Sequence, residues 1–214
     1  MLKNVINIPH FRYALAIVFG LCSGLLVYFF ETGPGVTGFE IFDFDFNGIG
    51  VSGLFALQSV LISGFIFGIA TSFFASLLMG FRRRMWFSLV IGALMSYGVA
   101  ALIIPPMTFF LATFLFFISS LVGSIILSFG VLFSGLEVDR EKMFRKMLIF
   151  PLPAVVIAIF ISFSSNGFTF EGILEFTESD KVVFAFLHPF WQISTLLALA
   201  SSIKNVRGEQ SIIK

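Results

Sequence analysis

The sequence predicts an all-α integral membrane protein, a six-transmembrane-helix bundle with both termini cytoplasmic (N-in/C-in) and two external acidic-aromatic loops. Three observations lead there. The chain of 214 residues is 58% apolar and 12% charged, with a mean hydropathy of +1.04, whereas a soluble domain carries roughly a quarter of its residues charged. Six apolar runs lie near 13–30, 52–80, 85–104, 107–135, 147–165 and 182–203, and a helix needs about twenty such residues to cross a hydrocarbon core of roughly 30 Å. The charges fall in the gaps between these runs. On one side lie Lys3, Arg12, Arg82, Arg83, Arg84, Arg140, Lys142, Arg145, Lys146, Lys204, Arg207 and Lys214, with Lys181 alone opposite. The positive-inside rule makes the basic side cytoplasmic. Glu31, Glu40, Asp43, Asp45, Glu171, Glu175, Glu178 and Asp180 go the other way.

The first run follows Lys3 and Arg12, and Glu31 to Gly35 offers no small-x-small cleavage pattern. An uncleaved first helix is expected. Its single cysteine, Cys22, has no partner for a disulfide or a CxxC site. The second and fourth runs approach thirty residues, about 43 Å of helix, so they must tilt or protrude. Arg82 to Arg84 reads as a tight cytoplasmic turn and Pro105-Pro106 as a tight external one. Residues 136–146 read as a cytoplasmic elbow. It has a Glu141 to Arg145 i,i+4 pair beside Met143, Phe144 and Met147, and it would lie on headgroups, meet a partner or remain a solvated loop.

The external gaps, 31–51 and 166–181, mix acids with aromatics. Phe42, Phe44 and Phe46 alternate with Asp43 and Asp45, and Phe168 and Phe170 alternate in the other gap, a period-two pattern that suits extended chain. The two could pair as a small cap or ribbon. Asp43, Asp45, Asn47 and Gly48 also match the first half of a calcium loop, but Leu54 stands where the bidentate Glu belongs. Glu171 or Glu175 would have to supply that carboxylate.

Small residues recur at every fourth position: Ala16, Gly20, Gly24; Gly64, Gly68, Ser72, Ser76, Gly80; Ser88, Gly92, Ser96, Ala100; Ser120, Ser124, Ser128; Ala154, Ala158, Ser162; Ser194, Ala198, Ser202. Such a spacing stacks them on one helix face, where backbones approach closely. The five-member stripe from Gly64 to Gly80 is either an oligomer interface or ordinary packing within the bundle. Tyr13, Tyr28 and Trp86 lie near span ends as interfacial anchors.

Within the spans the polar residues with more than a packing role are His188, Gln192 and Gln58, with Trp191 beside the first two. Counted from the outer span ends, His188 and Gln58 share a depth of about 9 Å. They form either a ligand site or an interhelical polar tie. Zinc chemistry needs three or four ligands, and His10, His188 and Cys22 are separated along the chain, so no metal or cofactor is expected. No GxSxG elbow occurs and no carboxylate shares a span with His188, which argues against serine-histidine catalysis.

The net charge of +1 hides a vertical asymmetry and by itself says nothing about nucleic acid, and no basic patch reads as a nucleic-acid site. The absence of Asp, Glu, Lys and Arg inside the spans argues against proton-coupled transport and intramembrane enzymes. The leading expectation is a non-enzymatic inner-membrane subunit, an oligomeric scaffold or envelope sensor. It would couple an external face bearing Asp43, Asp45, Glu171 and Glu175 to a cytoplasmic partner at Arg82, Arg83, Arg84, Arg140 and Arg145. The membrane arm of a bacterial stress or defence system fits that class. Six spans in about two hundred residues, both ends inside, and the long external loops are also similar in architecture to the substrate-binding components of energy-coupling-factor vitamin importers. That resemblance implies solute capture. An oligomeric channel lined by the serine faces is the third expectation.

Overall fold

The computed structural model describes residues 9–32, 52–107, 112–157, 160 and 180–204. These form α1 (Pro9–Thr32), α2 (Ser52–Met79), α3 (Arg83–Met107), α4 (Ala112–Phe133), α5 (Arg140–Ile149) and α6 (Asp180–Ser202), with a further helical stretch over 152–157. The described chain is all-helical. Two stretches in it, His10–Phe30 and Leu61–Met79, are long and apolar enough to cross a membrane, and Ser120–Phe133 is a shorter apolar helix.

The helix ends follow from local chemistry. Gly80, at φ +86°, closes α2 by donating its N–H to the Ser76 carbonyl at 2.8 Å, a left-handed geometry that a side chain would strain. After α4 the Ser134 N–H donates to the Gly130 carbonyl at 3.0 Å, and Gly135 follows in the left-handed region at φ +74°. Asp139 caps α5: its carboxylate accepts the Lys142 N–H at 3.1 Å, meeting a donor that the first turn leaves unpaired.

Two boundaries differ from the expected ones. α3 continues through Pro105 and Pro106 to Met107; proline keeps a helical φ, but each ring removes an N–H from the ladder and crowds the carbonyl four residues back, and the helix ends one residue later. The fifth run was expected to begin at 147, but Met147 belongs to α5. The helix stops at Ile149: Phe150 still has helical φ −64° and ψ −36° and its N–H donates to the Lys146 carbonyl, but Pro151 has no N–H to extend the ladder, and the chain restarts as helix over 152–157.

Each helix packs on its neighbours in a closed circuit: α1 on α2, α2 on α3, α3 on α4, α4 on α5, α5 on α6 and α6 on α1. α1 and α6 run antiparallel at backbone contact. A methyl placed on Gly20 would lie 2.5 Å from the Ile193 Cα, and one on Gly24 would overlap the Pro189 Cα. At the far end of α6, the Asp139 N–H donates to Ser202 O at 2.8 Å and the Lys204 N–H to Glu137 O at 2.9 Å, around an isolated antiparallel bridge between Val138 and Ile203. The elbow is therefore pinned to the end of α6.

Burial divides the side chains unusually. Phe67, Phe74, Met85, Leu89, Leu127 and Leu196 are fully buried, but so are Ser63, Ser72, Ser128 and Gln192. Large apolar groups stand exposed on several helices, among them Leu26 and Phe29 on α1, Phe65 and Phe73 on α2, Phe87 and Met95 on α3, and Phe129 and Phe133 on α4.

Candidate functional site

Residues 188, 191, 192 and 195 recur at helical spacing along one stripe of α6, and that stripe meets α1, α2, α3 and α4. Gln192 is fully buried. Its Oε1 accepts a hydrogen bond from the Ser23 hydroxyl on α1, and its Nε2 donates to the Tyr97 hydroxyl oxygen on α3 at 2.7 Å. One side chain thus ties three helices. The Ser23 hydroxyl has an alternative acceptor in the Phe19 carbonyl at 2.7 Å, so its single proton is shared between helix and tie.

An aromatic cluster surrounds this tie. Tyr97 stacks on His188 with ring centroids 6.0 Å apart and planes 14° apart. Trp191 meets Tyr97 edge-on at 5.8 Å and Phe67 of α2 at 5.4 Å. On the α4 side, the Ser96 hydroxyl donates to the Gly123 carbonyl at 2.8 Å. Trp191 Cζ2 is 3.5 Å from where a Cβ on Gly123 would sit. The layer lies well inside the helices: Gln192 precedes Ser202 by ten residues, about 15 Å along the axis.

The structure brings His188, Trp191 and Gln192 together. Gln58 lies on α2 nine positions before Phe67, about 13.5 Å along the helix, and its side chain is outside the described residues. Tyr97 and Ser23, not singled out from sequence, complete the tie. Tyr97 carried a usable signal: it sits thirteen residues past Arg84 in an apolar run, where its hydroxyl must find an internal partner. Ser23 carried none beyond being one of many serines. Chemically the layer offers amide and hydroxyl donors and acceptors set among rings. No group of three or more His, Cys, Asp or Glu placed to hold a metal occurs among the described residues.

The stripe from Gly64 to Gly80 is met by α3 of the same chain. A methyl on Gly64 would lie 2.9 Å from Leu94 Cα and one on Gly68 2.8 Å from Val90 Cα. Ser72 returns its proton to the Gly68 carbonyl, and the Ser76 hydroxyl oxygen accepts from Trp86 Nε1 at 2.7 Å. Trp86 also packs edge-on against Phe73 at 4.8 Å. Its N–H is spent between α2 and α3.

The second candidate surface is the basic end. The Arg84 Nε–H donates to the Phe133 carbonyl at 3.1 Å, satisfying an end carbonyl of α4 and bringing the three-arginine turn beside the elbow. Arg82, Arg83, Arg140, Lys142, Arg145 and Lys204 are exposed there, whereas Arg12 is buried. α5 buries Met143 and Met147 and sets Phe144 edge-on against Phe129 of α4 at 5.8 Å. The apolar face of the elbow is thus docked on its own chain, and its free face is charged. Partial burial, then the nearby Lys142 and Arg145, hold the Lys146 ammonium below the ordinary lysine range; it lies 5.3 Å from the Phe150 ring centre. The carboxylates expected on the external side, Asp43, Asp45, Glu171 and Glu175, with the half calcium loop and the expected ribbon, lie outside the described residues. No protein-family model matches the chain, and no curated protein and no solved structure matches it.

Proposed function

We propose that the chain is a non-enzymatic, six-span membrane subunit with both termini on the cytoplasmic side of a bacterial inner membrane. It acts as a scaffold or envelope sensor and meets a cytoplasmic partner through its basic end. The observation that carries this reading is the segregation of side chains. Large apolar groups stand outside while hydroxyls and an amide lie inside, an arrangement that lipid favours and water penalises. The exposed cations gather at one end, on a turn and an elbow held rigidly by Arg84, Asp139 and the end of α6. With its apolar face already used, α5 offers that partner Arg140, Lys142 and Arg145, which suit an acidic surface. A homo-oligomer would use the outer apolar faces, since α3 already fills the small-residue stripe of α2.

The test has two arms. In the first, Arg83→Cys and Asp45→Cys are each introduced into a Cys22→Ser background and labelled with an impermeant thiol reagent in oriented vesicles. Labelling from opposite sides is expected, and labelling from one side refutes the topology. In the second, the full chain and an Arg82→Gln, Arg83→Gln, Arg140→Gln, Arg145→Gln variant are purified from native membranes. A stoichiometric cytoplasmic protein is expected with the first and not the second. A monomeric, partnerless wild type refutes the coupling role.

A further inference from the structure

Most buried hydroxyls in the helices satisfy themselves locally. Thr71, Ser72, Ser128, Thr195 and Ser202 each donate to the carbonyl four residues back, as helical Ser and Thr commonly do. Among the described residues, polar atoms of Ser120, Ser124 and Trp191 depart from that habit. Ser120 is 8% exposed, Ser124 1% and Trp191 8%, and their Oγ, Oγ and Nε1 atoms are buried with no hydrogen-bond partner. An indole N–H is a donor only and, unlike a hydroxyl, it cannot reach its own helix backbone.

Two of these residues lie around Gly123 on α4, and the third reaches that glycine from α6. Ser120 and Ser124 flank Gly123 on α4, on the turns that carry buried Leu127 and Val131 onward. Trp191 turns toward Gly123 the ring edge that holds both Cζ2 and Nε1, with Cζ2 3.5 Å from the absent Cβ. Phe67 and Tyr97 crowd the indole, so a guest reaches it edge-on and must be small. The donor N–H calls for an oxygen or nitrogen acceptor, and the hydroxyls give or accept. No Asp, Glu, Lys or Arg lies within one helical turn of these residues in α4 or α6, so nothing there compensates a charged guest.

We propose that Trp191, Ser120 and Ser124 form an interior site for a small neutral solute bearing a carbonyl or hydroxyl oxygen, of the amide or polyol class. The site stands on the packing of α3, α4 and α6 and does not depend on the cytoplasmic partner proposed above.

The test uses the full chain in lipid nanodiscs with ¹⁵N-labelled tryptophan, whose two indole N–H resonances are assigned with Trp86→Phe or, should that variant not fold, with Trp191→Phe. Acetamide and glycerol are titrated separately. A saturable displacement of the Trp191 resonance by at least one of them is expected, with the Trp86 resonance still and the apparent affinity at least tenfold weaker in Ser120→Ala, Ser124→Ala. A Trp191 resonance that neither compound moves overturns the proposal, including the case in which it is already shifted by bound water only. So does a linear, unsaturable response that the serine variant reproduces.

Discussion

Substituting Gly24 with alanine tests whether α1 and α6 meet at backbone contact. The added methyl would overlap the Pro189 Cα and lie 2.6 Å from its nitrogen and 3.0 Å from the His188 carbonyl carbon, whereas carbon atoms rest at about 3.5–4.0 Å. All three are backbone atoms, so no rotamer change relieves the clash. α1 must move off α6 by about 1 Å, and the adjoining Ser23 hydroxyl is drawn away from Gln192. Overpacking of this kind costs about 1–3 kcal/mol, and a net hydrogen bond about 0.5–1.5 kcal/mol. Alanine's better helix propensity returns roughly 0.5–1 kcal/mol, leaving a net loss of roughly 2 kcal/mol. Gly98→Ala is the matched control, because that helical glycine has nothing within 4 Å of a built Cβ and should be neutral or slightly stabilised. The assay is reversible unfolding of both variants in the same detergent, followed by tryptophan fluorescence. Equal stability of Gly24→Ala and Gly98→Ala would refute the close crossing.

The tie through Gln192 is tested by a double-mutant cycle of Tyr97→Phe and Gln192→Leu. A coupling of about 0.5–1.5 kcal/mol is expected, and additive effects would mean that the 2.7 Å contact carries no energy. Asp139→Ala removes the cap of α5 and should cost about 1 kcal/mol. Its signature is faster hydrogen exchange at the Lys142 amide, and an unchanged rate would contradict the cap. Lys146, held below the ordinary lysine value of 10.5 by burial and then by its basic neighbours, binds its proton less tightly folded than unfolded. Stability should therefore rise slightly with pH between the lowered folded value and 10.5, and Lys146→Met should flatten that rise. A rise of the same slope in the variant would assign it to other groups.

Much of the helical order was legible because its signals are local. Apolar runs bounded by charges located α1, α2, α3, α4 and α6 to within a few residues, and the small-residue spacing foresaw the close approaches of Gly20, Gly24, Gly64 and Gly68. The misplaced boundaries both involve prolines, whose effect depends on whether the ring falls in a last turn, as at Pro105, or just past one, as at Pro151. The elbow was legible as amphipathic. Its choice of its own bundle over headgroups or a partner depended on Phe129 and the end of α6, which are distant in sequence or on another helix.

Helix content, the apolar character of the surface and the gathering of cations into a few gaps were determined by the sequence itself, since each follows from neighbours within a turn or two. The His188, Trp191 and Gln192 stripe was visible too, because four-residue spacing on one helix fixes a shared face. What it faces was decided only by the tertiary structure. Gln192 meets Tyr97 and Ser23, the Gly64 stripe is spent on α3, and Trp191 reaches Gly123 of α4 with its indole N–H unpartnered. The physical reason is that an interhelical contact depends on the axial register and crossing of two helices. Those are set by small shifts at Gly24 and Pro189 or Gly92 and Gly130, which no periodicity within a single helix encodes.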